Sequence, residues 1–390
     1  MLLAQYGHQP TSKIGEALRQ NIVDGVILCP RFNQPEKLRE ITKQLRESFP
    51  AKEVIFDPNF YVFAIPSVSR IGKLVSYPFY YPSLRRTDFS TKKVTEYTKK
   101  VLEYQIKNDF TKIISPGLIF PSFDSAWAQI TLQLFSESID FVKSNSVKKD
   151  LLLTLVINEA ALREDEQLSD FLDALTTLEA KGFYLIVDRS TDLPQWSDPG
   201  TLAGLLYLVN SLSKNGYKVI LGYTDLVGLL TTAVGADSIA NGWWKSLKLF
   251  SRSQFYDRSG GQRPRVTYTS EKLLNSVFVD PELQAIVESG FGGEVLSGTG
   301  SDNALSVNPA QQTWSQDNAA LHHWKVVKSL LGKINQSDEE ARLDQVESLI
   351  REAQTLYTRL RGVGIDFDTI SGPSYLRTWL EAITVYKEGL

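Results

Sequence analysis

The sequence predicts an α/β fold, a (β/α)8 TIM barrel followed by a C-terminal irregular and helical appendage. Three observations predict it. Eight short apolar runs recur along the chain, most of them ending in a polar or charged residue. Nearly every gap between them carries apolar residues at helical spacing. The chain has 390 residues, long for one ordinary domain and suited to a barrel plus an appendage.

The runs are 2–6, 26–29, 54–56, 112–115, 151–157, 183–187, 219–222 and 236–240. A barrel of this class carries its chemistry where the strands end. The end residues are Tyr6 and His8, Pro30 and Arg31, Asp57 and Asn59, Ser115, Asn158 and Glu159, Asp188 and Arg189, Tyr223 and Asp225, and Asn241 and Trp243. Between the runs, 35–48 opens on Pro35 and aligns Leu38, Ile41 and Leu45 on one stripe. Segment 91–107 places Val94, Tyr97, Val101, Tyr104 and Ile106 inward, with lysines outward. Segments 124–143 and 166–180 are amphipathic, and 199–214 is nearly all apolar through 202–209, as a helix packed on a barrel should be.

The longest gap, 58–90, is rich in Pro, Tyr and Phe. It reads as a lid or pocket wall on the chemical face, or as packing on the barrel rim. The barrel is expected over 1–258 and the appendage over 259–390. Within the appendage, 259–317 reads as irregular. Its glycine clusters at 259–262 and 290–293 lack the strand-before, helix-after context of a phosphate loop and read as turns. Two helices divided near Asn335 follow over 317–361, and a last one over 373–388.

Apolar residues make up 42% of the chain and charged residues 22%, enough for a large core and against disorder. No run approaches the roughly 20 residues that span a bilayer. The first residues lack a basic lead and a small-residue cleavage site, so they read as a strand rather than an export signal. The single cysteine, Cys29, fits a reducing cytoplasm and reads as a packed core residue or a nucleophile. The net charge of −3 gives no global attraction to nucleic acid, so any such contact needs a local patch. One candidate is 85–100, with Arg85, Arg86, Lys92, Lys93, Lys99 and Lys100. The other is 245–272, with Lys245, Lys248, Arg252, Arg258, Arg263, Arg265 and Lys272 interleaved with Phe250, Phe255, Tyr256 and Tyr268. Basic plus aromatic suits phosphate contact and base stacking; the alternative is a solvated face.

Asp57 sits between a β-branched, aromatic run and Pro58, which extends its backbone. Its carboxylate can accept hydrogen bonds from a ligand N–H or act as a base. Glu159 and Asp188 end neighbouring strands and can divide acid and base work if their surroundings separate their pKa values; Arg189 is a ready partner for Asp188. His8 reads as a general base or a satisfied rim residue. His322 and His323 are adjacent on a helix and point apart, so a zinc site there is not expected.

Several stretches resemble tRNA-guanine transglycosylases. Leu221-Gly222-Tyr223-Thr224-Asp225-Leu226-Val227 and Gly235-Ala236-Asp237-Ser238-Ile239 are similar to the last two strands of that barrel family. Leu321-His322-His323, with Leu331-Gly332 after it, resembles the family's Leu-His-His helix. Val54-Ile55-Phe56-Asp57 with Tyr61-Val62-Phe63 resembles the strand that carries the base-binding aspartate. Of the family's site residues the resemblance carries over Asp57 alone, as a contact to a purine-like base; around it the strand ends suggest a pocket for guanine or 7-deazaguanine formed by Asp57, Asn59, Tyr61, Asn158, Gly222 and Tyr223, with no cofactor expected. The resemblance also implies contact with tRNA, DNA or a modified protein through Lys245, Lys248, Arg252, Arg258, Arg263 and Arg265. The chain departs from the family at two places. The family's nucleophilic aspartate corresponds to Ala240, beside Asn241. Its zinc cysteines are absent and its zinc histidine corresponds to a position near Glu339. A further resemblance is to transglycosylase-like proteins of bacterial anti-phage operons, some of which stand beside a 7-deazaguanine-synthase-like partner.

Three functions follow as expectations. The first is a degenerate relative that binds the base without exchanging it. The second is an active enzyme that cleaves or exchanges an N-glycosidic bond with a relocated carboxylate, Asp57, Glu159 or Asp188. The third is a non-catalytic scaffold whose mouth is plugged by its own side chains.

Overall fold

The computed structural model describes residues 1–7, 11–257 and 265–389. His8, Arg258, Arg263 and the glycine cluster 259–262 lie outside the described residues. The barrel strands are β1 Leu2–Gln5, β2 Gly25–Leu28, β3 Glu53–Phe56, β4 Ile113–Ile114, β5 Ile119–Phe120, β6 Leu151–Asn158, β7 Gly182–Asp188, β8 Lys218–Leu221 and β9 Ser238–Asn241. They form one parallel sheet in the order β3-β2-β1-β9-β8-β7-β6-β4, with β5 also on β6. β4 and β5 share one position, so the ring has the eight places expected.

The ring nearly closes. Between β3 and β4 the gap is bridged by Thr111, whose N–H donates to the Val54 carbonyl at 2.8 Å and whose hydroxyl accepts from the Val54 N–H at 3.1 Å. The fourth run is split rather than continuous, because Pro116 has no N–H to give to the ladder. Gly117 then lets the chain pass close to β6, where a Cβ would lie 2.3 Å from the Thr154 carbonyl oxygen.

The helices match the expected spacing. Pro35–Ser48 begins on its proline, Thr91–Lys107 and Ala126–Ser144 follow, and Pro199–Lys214 is capped by Asp198, whose Oδ1 accepts from the Thr201 N–H at 2.7 Å. The helix expected over 166–180 is Asp165–Thr176 and stops sooner. The long 58–90 gap holds three short 3₁₀ turns, with Phe60, Tyr61, Val62 and Phe63 buried. No helix among the described residues is long and apolar enough to cross a membrane.

The appendage is more ordered than the sequence suggests. Within 259–317 lies an antiparallel hairpin, β10 Thr267–Ser270 with β11 Asn275–Phe278. Its Thr267-Tyr268-Thr269 and Ser276-Val277-Phe278 carry the β-branched and aromatic residues that favour strands. Helix Gln316–Lys333 joins the hairpin to the barrel. His322 bonds the Thr269 carbonyl at 2.7 Å, His323 contacts the Thr269 hydroxyl at 3.1 Å, and Trp324 Nε1 donates to the Asn241 carbonyl at 3.2 Å. Helices Glu339–Gly362 and Ser374–Glu388 complete the appendage, and one continuous apolar core runs through both parts.

Candidate functional site

The strand register identifies the inner face of the barrel. Gln5 is level with Ile27 on β2, and Ile27 with Ile55 on β3. Cross-strand partners share a face and alternate residues along a strand return to it. Asp57, two residues past Ile55, therefore lies on the same face as Gln5. Tyr184, on the opposite wall, reaches Asp57 through its hydroxyl at 3.3 Å. That face is the barrel interior.

Asp57 is wholly buried, and the protein itself occupies both its oxygens. Oδ1 accepts from the Asn59 N–H at 2.8 Å, and Oδ2 from the Tyr61 hydroxyl at 2.9 Å as well as from Tyr184. Asn59 adopts a left-handed conformation (φ 51°) that turns the chain into the 3₁₀ segment carrying Tyr61, and its Nδ2 donates to the Tyr61 hydroxyl at 2.7 Å. Gly222 makes room for Tyr184, since a Cβ there would lie 2.6 Å from its ring. Burial raises the Asp57 carboxyl to about 6 against the opposing effect of these hydrogen bonds. Burial, and then the nearby Asp57 charge, push Tyr61 and Tyr184 well above the ordinary phenol value, so both stay neutral donors.

The ends of β6 and β7 form a second polar group. Glu159 accepts from Arg189 Nε at 2.5 Å and from the Ser190 N–H at 2.7 Å. Arg189 therefore pairs with Glu159, not with its neighbour Asp188. Asp188 instead accepts from Asn158 Nδ2 at 3.0 Å and pairs with Arg252 Nε at 2.8 Å. Burial raises the Asp188 pKa. Burial would also raise Glu159, but Ser190 and the Arg189 charge hold it below the ordinary value. The two carboxyls are thus pushed apart, yet each is committed to structural partners.

The segment after β9 folds back over the mouth. Leu247 packs into the space left by Gly7 and Gly242, where an added Cβ would lie 2.7 Å from its side chain in each case. The Phe250 carbonyl accepts from the Arg189 N–H at 2.9 Å. Its ring lies 5.2 Å from Tyr61 and 5.5 Å from Tyr223, closing the chamber above Asp57.

Beside this plug an open cleft of about 400 Å³ remains. Tyr6, Phe32, Tyr223 and Trp244 supply its aromatic walls, and Arg31, Arg70 and Gln254 its polar edge. Arg31 donates to the Gln254 side chain at 3.1 Å and to the Arg70 carbonyl at 3.2 Å, with its guanidinium 4.3 Å from the Phe255 ring. Among the described residues no carboxylate pairs with Arg31 or Arg70, and none lines the cleft. Cys29 is part of the wall, but burial pushes its thiol up to about 12, so it is not a thiolate nucleophile at neutral pH.

Of the residues expected to bind a base, only Tyr223 lines this cleft. Asp57, Asn59 and Tyr61 are together but sealed, Gly222 backs Tyr184, and Asn158 is held by Asp188. The described members of the expected basic stripe each have an acidic neighbour. Lys245 faces Asp192 at 3.9 Å and Arg252 faces Asp188. Lys248 is buried, 3.4 Å from Asp225, and Arg265 pairs with Asp368 at 2.6 Å while covering Phe278. Lys245, Arg252 and Arg265 remain about half exposed beside these carboxylates, and Lys248 alone of the four is buried. The sequence marks Arg31 only as a strand-end residue, and Arg70 only as part of the 58–90 segment expected to wall a pocket.

At the position that the family resemblance assigns to a zinc ligand, Glu339 bonds Asn210 at 2.9 Å and Tyr386 at 2.6 Å, with no thiol nearby. That donor set does not fit zinc. Fold and site together define a (β/α)8-barrel protein with a sealed carboxyl–phenol floor and an arginine-edged aromatic cleft at its mouth. No family model matches the chain, and no curated protein matches it either.

Proposed function

We propose that the chain is a degenerate barrel of the tRNA-guanine transglycosylase type that binds guanine or a 7-deazaguanine carried on a phosphate, without exchanging it. The observation that carries this reading is the mouth cleft, where two arginines with no carboxylate partner among the described residues flank aromatic walls. Aromatic faces stack on a flat heterocycle, and guanidinium groups hold phosphate oxygens. The phosphate belongs to a nucleotide or to the end of a polynucleotide. A covalent glycosyl intermediate needs a carboxylate at the sugar carbon, and the described walls offer none. The inward-facing position that corresponds to the family's nucleophile is Ala240, level with Leu3.

Calorimetry with guanine, 7-cyano-7-deazaguanine, guanosine and GMP tests the reading. GMP is expected to bind at least about tenfold tighter than guanosine, and Arg31→Gln to remove most of that difference. No heat from any of the four at millimolar concentration would overturn it in favour of a scaffold, the reading that the Leu247 and Phe250 plugs support. Incorporation of labelled guanine into tRNA or DNA would instead support the active-enzyme alternative.

A further inference from the structure

Gln5 is a buried primary amide on the inner face of the barrel, and neither its Oε1 nor its Nε2 has a hydrogen-bond partner. Buried amides are rarely left so, because each unmet group forfeits the hydrogen bonds that it makes in water. Asn59 Oδ1, beside the Asp57 floor, is unmet as well. The next two residues of the chain, Tyr6 and Gly7, are walls of the open cleft. What covers the mouth at this edge is Leu247, an apolar side chain seated on Gly7 and Gly242. An unsatisfied amide therefore lies two residues before Gly7, on the inner face of the strand that leads to the cleft edge that Leu247 covers.

We propose that Gln5 reads the hydrogen-bonding edge of the bound base, in a subsite that opens when Leu247 is displaced. The inference rests on the proposed nucleotide-binding reading and extends it from the phosphate and ring faces to the base edge. A primary amide offers an acceptor and donors side by side. Its complement is a purine or deazapurine edge with an adjacent donor and acceptor, such as the N1–H and O6 of guanine. Asp57 cannot supply this contact while its oxygens hold Tyr61 and Tyr184. Glycine at positions 7 and 242, just past β1 and β9, places no side chain of its own under Leu247.

The experiment compares GMP with purine riboside 5′-monophosphate, which keeps the phosphate and the ring faces but lacks the guanine edge. Wild type is expected to prefer GMP by at least about tenfold. Gln5→Leu is expected to bring that ratio close to one while leaving the affinity for purine riboside 5′-monophosphate unchanged. Its melting temperature should equal or exceed that of wild type, since an apolar side chain replaces an unsatisfied amide. Leu247→Ala should raise GMP affinity, because the plug no longer has to move; equal or weaker binding would remove Leu247 from the entry route. A GMP preference that survives in Gln5→Leu, or wild type binding both nucleotides equally, would overturn the role of Gln5 and leave the phosphate-binding reading standing. Wild type binding neither nucleotide would overturn both.

Discussion

Asp57→Asn keeps the shape of the buried side chain and removes its charge. Burial holds the Asp57 carboxyl at about 6 in the fold, against an ordinary value of 3.8. A carboxyl with a higher pKa folded than unfolded binds its proton more tightly in the fold. Its contribution to stability is therefore full below the unfolded value and is lost as the pH rises through 3.8 to about 6. The loss amounts to about 3 kcal/mol, at about 1.4 kcal/mol per tenfold change in ionisation. The group is fully buried, so solvent does not screen this figure away. The asparagine does not titrate. Its Oδ1 can still accept from the Asn59 N–H, and its amide can donate to the Tyr61 and Tyr184 hydroxyls once these turn. Urea unfolding of both proteins at about pH 4, 5, 6 and 7.5 isolates the effect, because every other titrating group cancels in the difference. Relative to wild type, the variant should gain about 2.5 kcal/mol from the lowest to the highest pH, because at about pH 4 the unfolded carboxyl is already half ionised. A difference that stays flat across this range would refute the claim that burial without a charged partner raises the Asp57 carboxyl.

Gly204→Ala should cost about 2–3 kcal/mol in calorimetric unfolding, since its Cβ would lie 1.9 Å from the Leu162 carbonyl oxygen and backbone cannot swing aside. Arg252→Gln should cost only about 1 kcal/mol, because the arginine is half exposed. It should nevertheless speed hydrogen exchange at the Arg189 amide, which is bonded to the Phe250 carbonyl; unchanged exchange would mean that the Asp188–Arg252 pair does not hold this segment down. Cys29 should react with iodoacetamide at about pH 8 at least about a hundredfold more slowly in the native protein than in urea, given a buried thiol raised to about 12. Rapid native labelling would show that the cleft wall opens.

The ring of strands was legible because each strand is an apolar run and each helix repeats its apolar residues every three or four positions. Proline explains the one split strand, at Pro116. The hairpin around Tyr268 and Val277 was obscured by the glycine and serine on both sides of it, although its strand-forming residues were there to read. The site was legible only in part. Strand ends pointed to Tyr6, Arg31 and Tyr223, which the structure brings together in one cleft. Nothing local could show that Asp57 is closed off by Tyr184, 127 positions away, or that Arg252 is spoken for by Asp188, 64 positions before it. A run of lysine and arginine looks free in a sequence because its carboxylate partners are far along the chain. Gln5 was invisible for the opposite reason, since an unmet hydrogen bond is a property of the packed interior.

The same segment bears on all three expected functions. Phe250 packs on Tyr61, one of the phenols that hold Asp57, and Leu247 is seated on Gly7 and Gly242 at the end of the strand that carries Gln5, so one stretch of chain lies over both sides of the mouth. The two seals differ in what removing them would expose. Lifting Phe250 would leave Asp57 with both oxygens still bonded, and a carboxylate so engaged makes a poor nucleophile or base. Lifting Leu247 would expose an amide with every hydrogen bond still to make. Ligand binding at the Leu247 side therefore gains contacts that the resting protein lacks, whereas binding at the Phe250 side must first break contacts it already has. On the proposed reading, recognition belongs at strand one rather than catalysis at strand three, as a barrel that holds a base and leaves its glycosidic bond intact would require.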